Sequence, residues 1–483
     1  MKKLERICPV ETNAILGLIR RGTVRKGGDG FMRVKAIGLI LLAILYIGSA
    51  SAQEAQGPLT LEESIQIAME RSLTVHSAIV GVQGSEYRRK EAFTNFLPWW
   101  TGQYSWTRSN QPQALAQGPV SVTAGPGGTF NVTSGISPDK DIYGFSTTLS
   151  QPVFTGGLNM ANYRISKLGV DLSKETVETA KRDLVLQVRV GYFNILRAEK
   201  FLVVAEQQVK QFEAQLAVTN AFFEVGIVPK NDVLLADVNL ANAKQSQVRA
   251  ENDLATAKAS FNILLRREIN IPFEVVDILE YKAFPLTYQE SIEESLRQRP
   301  EIKTAQLNID QAKEGVKVAR SGFLPTISLL GNYNRFSDDI TLSGGENFRD
   351  SWTIQGVATF TLWNWGNTAF KVGENKVKVN QAEDSKTQLT ESITLEVKND
   401  YLNMQVAERN IRVAEVAIAQ AEENVRMNEE RYKYQVATQT DVVNAVTLLA
   451  QARTNYYGAL SDFNIAKAQL ERAMGRIYPS VTP

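Results

Sequence analysis

The chain repeats one order of structural elements. A Thr-x-x-Glu motif at Thr60 returns at Thr287, a shift of 227 residues (287 − 60), and an Asp-Val pair at Asp232 returns at Asp441, a shift of 209 (441 − 232). The copies therefore differ by 18 residues (227 − 209), which fall in a loop of the first copy. Each copy predicts helix, strand, strand, very long helix and helix, and one copy alone can neither close its sheet nor fill its long-helix seam. The copies cover residues 53–276 and 277–483.

The first 52 residues are typical of an export signal. Arg33 and Lys35 precede an apolar run from Ala36 to Ile47, and small residues ending at Ala52 follow it. The run is too short for a permanent membrane-spanning helix, although a membrane anchor is the alternative. We predict a signal peptide over 1–52, cleaved after Ala52, with an over-extended start and Met32 as the true initiator.

The charge balance and the scarce cysteine and histidine exclude several classes of protein. Lys and Arg number 53 against 52 Asp and Glu, so the chain has no basic footprint for nucleic acid. Removing residues 1–52 deletes nine basic and three acidic residues and takes the net charge from +1 to −5 (1 − 9 + 3). The single cysteine, Cys8, lies before the apolar run, and the single histidine, His76, lies in an ordinary helical stretch. We predict no disulfide, metal site, cofactor or enzymatic activity.

Four segments alternate apolar and polar side chains, which is typical of strands with two different faces. In the first segment Trp100, Tyr104 and Trp106 share one parity, and Thr101 and Gln103 share the other. Each segment has the roughly 10–12 residues that a tilted transmembrane strand requires, with aromatic residues near its ends. An ordinary soluble sheet is the alternative. The predicted strands are about 99–109, 141–154, 326–336 and 351–363.

Four strands leave two unpaired edges. In hydrocarbon each unpaired backbone group costs several kcal/mol, so only a closed barrel is admissible and several chains must contribute to it. Two chains would give eight strands with a filled interior, and three would give twelve with an open lumen. The connecting loops at 110–140 and 337–350 are rich in turn-forming residues and are expected to be exposed.

An exceptionally long helix follows each strand pair. Residues 158–224 contain no proline, and at 1.5 Å per residue a helix of this length extends about 100 Å. Apolar and small residues recur there at spacings of four and three, from Leu184 to Phe223, which predicts a coiled-coil seam that the second copy repeats from Ile393 to Tyr432. The predicted long and paired helices are about 158–224, 230–266, 367–434 and 440–474.

The shorter upstream helices have clear start signals. Thr60 with Glu63 and Thr287 with Glu290 form predicted capping boxes. Pro300 is predicted to break the second-copy helix near its start, whereas the matching position of the first copy has no proline.

Three features together are similar to a known family. They are the duplicated order of elements, a Phe-Leu-Pro before each strand pair, ending at Pro98 and Pro325, and Val225-Gly226 followed by Asp232 at the turn between paired helices. In these features the chain resembles the TolC-like outer membrane factors from about Leu59 to Arg476. The resemblance implies a mostly α-helical chain with transmembrane β structure. It also implies a trimer whose twelve-stranded barrel continues as a long helical coiled-coil barrel through the periplasm.

The resemblance also implies a function and partners. Such proteins are passive exit ducts of tripartite efflux pumps and type I secretion systems in the outer membrane of Gram-negative bacteria. The implied partners are two sister chains, outer membrane lipid, a periplasmic adaptor and an inner-membrane transporter of the RND, ABC or MFS class. The cargo stays open among drugs, metals and proteins. A soluble periplasmic coiled-coil adaptor or scaffold is the alternative function, but it does not account for four two-faced strands.

In that family the helix tips form the periplasmic entrance, which polar links close and acidic side chains narrow. The matching residues here are Asp232, Tyr432, Asp441 and Asn444 for the gate, and Gly226, Val228, Pro229 and Gln435 for a tip that docks the adaptor.

The chain departs from the family pattern in three places. Asn444 stands where members often carry a second carboxylate, Ala437 where some carry a gating arginine, and Gln435 where glycine is usual. Simpler interpretations also exist. Asp232 and Asp441 are suited to stabilise helix starts, Tyr432 continues the seam, and the glycine and proline suit a tight turn.

Overall fold

The computed structural model describes residues 57–108, 120–124, 128–132, 141–343 and 348–476. The predicted signal peptide, with Cys8 and Met32, lies outside the described residues, as do parts of the two predicted loops. For 120–124 and 128–132 only the backbone is described.

Helices make up most of the described chain. The two longest, α3 (Leu158–Glu224) and α7 (Asn367–Lys433), contain 67 residues each, which corresponds to about 100 Å. No helix in the described ranges combines the length and apolar content that a membrane crossing requires. The helices are α1 (Leu61–Arg71), α2 (Leu73–Thr94), α3 (Leu158–Glu224), α4 (Lys230–Leu264), α5 (Tyr288–Gln298), α6 (Pro300–Arg320), α7 (Asn367–Lys433) and α8 (Gln439–Ala473).

Both capping boxes that the sequence predicts are present. The Thr60 hydroxyl accepts a hydrogen bond from the Glu63 amide at 3.2 Å, and the Thr60 amide donates to the Glu63 carboxylate at 3.0 Å. Thr287 and Glu290 repeat this arrangement at the start of α5. Each box satisfies amides that the first turn of a helix leaves free.

The upstream helix is broken in both copies, so the break predicted at Pro300 is confirmed and a second, unpredicted break lies at Ser72. In the second copy Arg299 is extended (φ −67°, ψ 128°), as expected for a residue before proline. In the first copy Ser72 has nearly the same backbone (φ −64°, ψ 123°) without a proline. Its hydroxyl accepts a hydrogen bond from the Val75 amide at 3.3 Å and starts α2 as an N-cap.

Four strands form one antiparallel sheet in the order β1 (Trp99–Arg108), β4 (Asp141–Thr155), β5 (Thr326–Ser337) and β6 (Arg349–Thr359). The strand register aligns apolar residues of neighbouring strands with one another, since Trp100 pairs with Leu149 and Tyr333 pairs with Trp352. The rows that contain most of the large apolar side chains therefore share one face of the sheet, and rows made up mainly of Ser, Thr, Gln and Asn share the other.

Two strand predictions need correction. The last strand ends at Thr359 and not near 363, because its partner β5 begins at Thr326, directly after Pro325, which has no amide hydrogen to extend the ladder. The predicted loop 110–140 also contains a second, two-stranded sheet. Its strands are β2 (Val120–Ala124) and β3 (Gly128–Val132).

The long helices form the wall to which the sheet is attached. Near the sheet α3 packs between α2 and α6, and α6 packs on α7; toward the other end α3 packs between α4 and α8, and α8 packs on α7. The seam positions Leu184, Val188 and Ile195 are buried, and so is Thr219. Phe223 is an exception at 42% exposed, because the adjacent Phe222 supplies the inward ring in the last turn of α3.

Candidate functional site at the helix tips

The first tip is a tight helix-to-helix turn between α3 and α4. Gly226 has a left-handed backbone (φ 76°), and the Ile227 amide donates to the Phe222 carbonyl at 2.8 Å. This Schellman geometry satisfies carbonyls that the end of α3 would leave free. Val228 is half-buried, and the exposed Pro229 is the N-cap of α4. The predicted docking residues of this tip therefore form the turn itself.

The second tip, between α7 and α8, has the same backbone with a different residue at its centre. Gln435 is left-handed (φ 59°), the Val436 amide donates to the Arg431 carbonyl at 2.8 Å, and the Gln435 amide donates to the Tyr432 carbonyl at 2.9 Å. A side chain in this conformation is strained, which explains why glycine suits the position.

Asp441 caps helix α8. Its carboxylate accepts hydrogen bonds from the Thr438 amide and hydroxyl, both at 2.8 Å, and its own amide donates to the Thr438 hydroxyl at 3.2 Å. These bonds to the amide, and then to the hydroxyl, hold the pKa of Asp441 below its ordinary value, so the carboxylate is charged at neutral pH. The helix-start interpretation thus holds for Asp441, and the exposed carboxylate still carries a charge at the tip.

Asp232 and Asn444 have a different setting. Asp232 lies at the third position of α4, where the N-cap is Pro229, and within the described residues its carboxylate accepts no hydrogen bond. Its contribution to the helix start is therefore electrostatic only. Asn444 is exposed on α8, one turn after Asp441.

Tyr432 is buried at 4% exposed, inside the chain and not at its surface. Its ring packs on Phe222 with centroids 5.7 Å apart, and its hydroxyl lies 3.3 Å from the Thr219 hydroxyl. Burial is the main cause that raises the pKa of Tyr432, and the negative charge of Asp232 adds to it. The structure thus connects Tyr432 with Asp232 electrostatically and with helix α3 by contact.

A buried polar cluster at this level was missed by the sequence reasoning. Gln215 Nε2 donates to Gln439 Oε1 at 2.7 Å, and the Thr219 hydroxyl lies 3.1 Å from the same oxygen. Gln439 is 2% exposed, and its Nε2 has no hydrogen-bond partner within the described residues. Together with Tyr432, these side chains join α3, α7 and α8. We name Gln215, Thr219, Tyr432 and Gln439 the tip cluster.

Apolar side chains surround both turns on the outside. Val225 is 68% exposed and Ile227 43%, and their counterparts in the second tip, Tyr434 and Val436, are 78% and 66% exposed. Large apolar side chains at an exposed turn are typical of a contact surface. Their shared shift of 209 residues (434 − 225) could have revealed this set in the sequence.

A second polar cluster lies at the helix break. Arg299 is 4% exposed and donates to Glu396 at 2.6 Å and to Glu301 at 3.0 Å, while Arg472 contacts Glu396 at 3.1 Å. Asp400 lies one turn after Glu396 on α7, where burial, and then the charge of Glu396, raise the pKa of Asp400 to about 6. Across the described ranges no group of three His, Cys, Asp or Glu side chains is placed to hold a metal ion.

The comparison with known families decides the class of protein. A family model described as "Outer membrane efflux protein" matches residues 64–265 and 291–476, which together cover both copies of the repeat. The chain belongs to the outer membrane efflux protein family. It is therefore an outer membrane channel that extends into the periplasm, of the class that forms exit ducts for efflux and type I secretion.

Relatives and solved structures agree with this membership. The outer membrane protein TolC of Vibrio cholerae is 24% identical over 302 residues, which cover 62% of this chain and 68% of that protein. TolC of Escherichia coli is 22% identical over 380 residues, covering 75% of this chain and 76% of that protein. The Campylobacter jejuni CmeC outer membrane channel superposes with a TM-score of 0.70 at 19% identity and covers 86% of this chain and 85% of that one.

Proposed function

We propose that three copies of this chain form a closed duct, with twelve strands in the outer membrane and a helical tunnel in the periplasm. The observation that supports this best is the register of the sheet, because it gathers the apolar rows on one face and the polar rows on the other. A wall with lipid on one side and water on the other requires this division. The ladder ends at β1 and β6, and pairing these edges between copies removes every unpaired edge.

Exposed apolar stripes support the same assembly in the helical part. On α2, Leu73 (60% exposed), Val80 (46%) and Tyr87 (68%) recur every seven residues. On α7, Phe370 is 75% exposed and Val377 is 54% exposed, again seven residues apart. Because α2 and α7 are the outer helices of the wall near the sheet, α2 of one copy packs against α7 of the next.

The tips form the periplasmic entrance of this duct. Asp232, Asp441 and Asn444 face the passage, and three copies of the two aspartates form an acidic constriction. The tip cluster, through Tyr432, holds the hairpin of α7 and α8 against α3 in the resting state. Opening then requires the side chains of this buried cluster to separate, so the hydrogen bonds within the cluster stabilise the closed gate.

The exposed turns dock the rest of the pump. Gly226, Val228, Pro229 and Gln435, with the apolar side chains around them, contact a periplasmic adaptor. The adaptor connects the duct to an inner-membrane transporter of the RND, ABC or MFS class, which selects the cargo. The duct itself is a passive conduit, and we assign it no catalytic step.

Cross-linking tests the arrangement of copies directly. Tyr87→Cys combined with Val377→Cys places thiols on facing stripes, roughly seven and ten residues from the sheet-side ends of α2 and α7. The expected result is a covalent trimer on a non-reducing gel after mild oxidation of outer membranes. Tyr87→Cys with Val413→Cys is the matched control, because Val413 is 70% exposed on the same helix but about 54 Å farther along it.

Two outcomes would contradict the proposal. One is a cross-link that stops at dimers in fully oxidised samples. The other is that the chain is found in the soluble fraction after the cells are broken and fractionated, and conducts no ions across a planar bilayer.

A further inference from the structure

Positive charge is concentrated where the helices meet the sheet. Four helices reach the sheet, and the twelve residues of each nearest to it are 83–94, 158–169, 309–320 and 367–378. These segments hold eleven Lys and Arg against five Asp and Glu, a net charge of +6 (11 − 5). Residues 53–483 as a whole carry −5, so the rest of that range carries −11 (−5 − 6). We call these four segments the basic belt.

The cations of the basic belt are at the surface. All of them except Arg89 are exposed, including Lys167, Lys371 and Lys376. Among the acids, Glu314 is half-buried and contacts Lys317 at 2.6 Å and Arg164 at 3.9 Å. The carboxylates therefore neutralise part of the positive charge of the basic belt, and the remaining cations face solvent.

Aromatic side chains place the basic belt beside a membrane surface. Trp99 and Trp100 begin β1, five and six residues after the end of α2, and are 60% and 79% exposed. Trp363 and Trp365 lie four and two residues before the start of α7 and are 73% and 84% exposed. Exposed tryptophans collect where hydrocarbon meets water, so the helix side of this band is the level of lipid headgroups.

We propose that the basic belt binds the phosphate groups of anionic phospholipids in the leaflet that faces the helices. This inference rests on the proposed function, because it requires the sheet to lie in a bilayer. Lysine and arginine at the headgroup level attract anionic lipid, and the attraction falls with ionic strength. The long side chains of the basic belt reach the headgroups while the tryptophans remain at the edge of the hydrocarbon. Binding on three copies gives the duct a charged collar that fixes its depth in the membrane.

Tryptophan fluorescence offers a local test. All six tryptophans of the chain lie between Trp99 and Trp365, in or next to the strands, so their quenching reports on lipid around the sheet. Trimers are reconstituted in vesicles of phosphatidylethanolamine with either brominated phosphatidylglycerol or brominated phosphatidylethanolamine as the quencher. We expect the phosphatidylglycerol to quench with about threefold or greater preference at low salt, and with no preference at 0.5 M salt.

Charge variants connect the preference to the basic belt. Changing Lys167→Gln, Lys371→Gln and Lys376→Gln together is expected to bring the preference close to one. The matched control is Lys210→Gln, Lys230→Gln and Arg249→Gln, three exposed cations on α3 and α4 outside the basic belt. This control is expected to keep the preference of the unmodified chain.

The outcomes separate this inference from the duct itself. Equal quenching by both lipids in trimers that conduct ions overturns lipid binding and leaves the duct intact. An equal loss in both triple variants also overturns it, since the effect would then follow total charge. Competition by soluble glycerol phosphate at matched phosphate concentration would assign the site to a free anion and overturn the lipid assignment. If neither brominated lipid quenches the tryptophan fluorescence, the result would instead count against a sheet inserted in the membrane.

Discussion

Gln435 occupies in the second tip the backbone position that Gly226 occupies in the first, at the repeat shift of 209 residues (435 − 226). Both have left-handed φ angles, 59° for Gln435 and 76° for Gly226. Glycine adopts this conformation without penalty, whereas a residue with a side chain pays about 1–2 kcal/mol. The two tips of one chain therefore have the same shape and unequal strain.

Gln435→Gly is expected to stabilise the second tip by about 0.5–1 kcal/mol, since relief of the backbone strain exceeds the entropy that glycine gains in the unfolded chain. Hydrogen exchange of the amides around the turn measures this local stability. Gly226→Gln is the reciprocal control, because no atom lies within 4 Å of an added Cβ and only the φ angle opposes the change. Faster amide hydrogen exchange around the turn in Gln435→Gly would contradict the proposed backbone strain at Gln435.

The long helices and the two-faced strands could be read from the sequence because each depends on a local, repeated pattern. The absence of proline and a regular apolar spacing determine α3, and strict alternation determines the face of Trp100 in β1. The break at Ser72 was missed because a serine N-cap needs no proline and looks like any helical serine. The early end of β6 was missed because it depends on where its partner strand begins, which is not local information.

The buried polar contacts at the tips were missed for a similar reason. Sequence spacing placed Asp441 at a helix start and Tyr432 in the seam, and the structure agrees with both interpretations. Gln215 and Gln439 meet across 224 residues of chain, and neither carries a local signal of burial. Polar side chains that are satisfied only by distant partners cannot be separated from surface residues by pattern alone.

Tyr432→Phe tests the tip cluster. The change keeps the ring on Phe222 but removes the hydroxyl near Thr219, at an expected cost of about 0.5–1.5 kcal/mol to the contact between the hairpins. We expect a larger fraction of open time in planar bilayer recordings of trimers. Tyr434→Phe is the control, since Tyr434 lies two residues away and is 78% exposed. Identical recordings for Tyr432→Phe and Tyr434→Phe would show that the Tyr432 hydroxyl does not stabilise the closed state.

Asp441→Gln tests the acidic constriction apart from the helix cap. Glutamine at the third position of a capping box still accepts a hydrogen bond from the N-cap amide, so the start of α8 is preserved while the charge is lost. We expect weaker block of the current by polyvalent cations in this variant and in Asp232→Asn, because fewer negative charges remain at the entrance. Asp441→Ala removes the cap and the charge together, and we expect it both to weaken the block and to raise the conductance.

Asp237→Asn is the control for these charge changes, because Asp237 is exposed on α4 only five residues after Asp232. Its block by polyvalent cations is expected to match that of the unmodified duct. If the variants at Asp232 and Asp441 also keep full block by polyvalent cations and an unchanged current, the constriction lies elsewhere.

Asp400 is the seam position where the two copies differ most in chemistry. Its counterpart in the first copy, at the shift of 209 (400 − 191), is Gly191, where an added Cβ would lie 2.9 Å from the Phe261 ring. In the second copy the position carries a carboxylate beside Glu396, whose two oxygens are already contacted by Arg299 and Arg472. Asp400 therefore meets a like charge on its own helix, and the arginines on the facing elements are shared with Glu396.

Stability is expected to fall as the pH rises through the pKa of Asp400, which is raised from 3.8 to about 6 in the folded chain. Between these values the folded chain binds the proton more tightly than the unfolded chain, so folding is favoured at the acidic end. Asp400→Asn should therefore be more stable than the unmodified chain at pH 8, by a margin that shrinks through pH 6 and vanishes near pH 4. Denaturant midpoints of detergent-solubilised trimers measure this margin, and Asp384→Asn, an exposed change on the same helix, should show none. A margin that stays constant from pH 8 to pH 4 would mean that packing, and not the carboxylate charge, determines the effect.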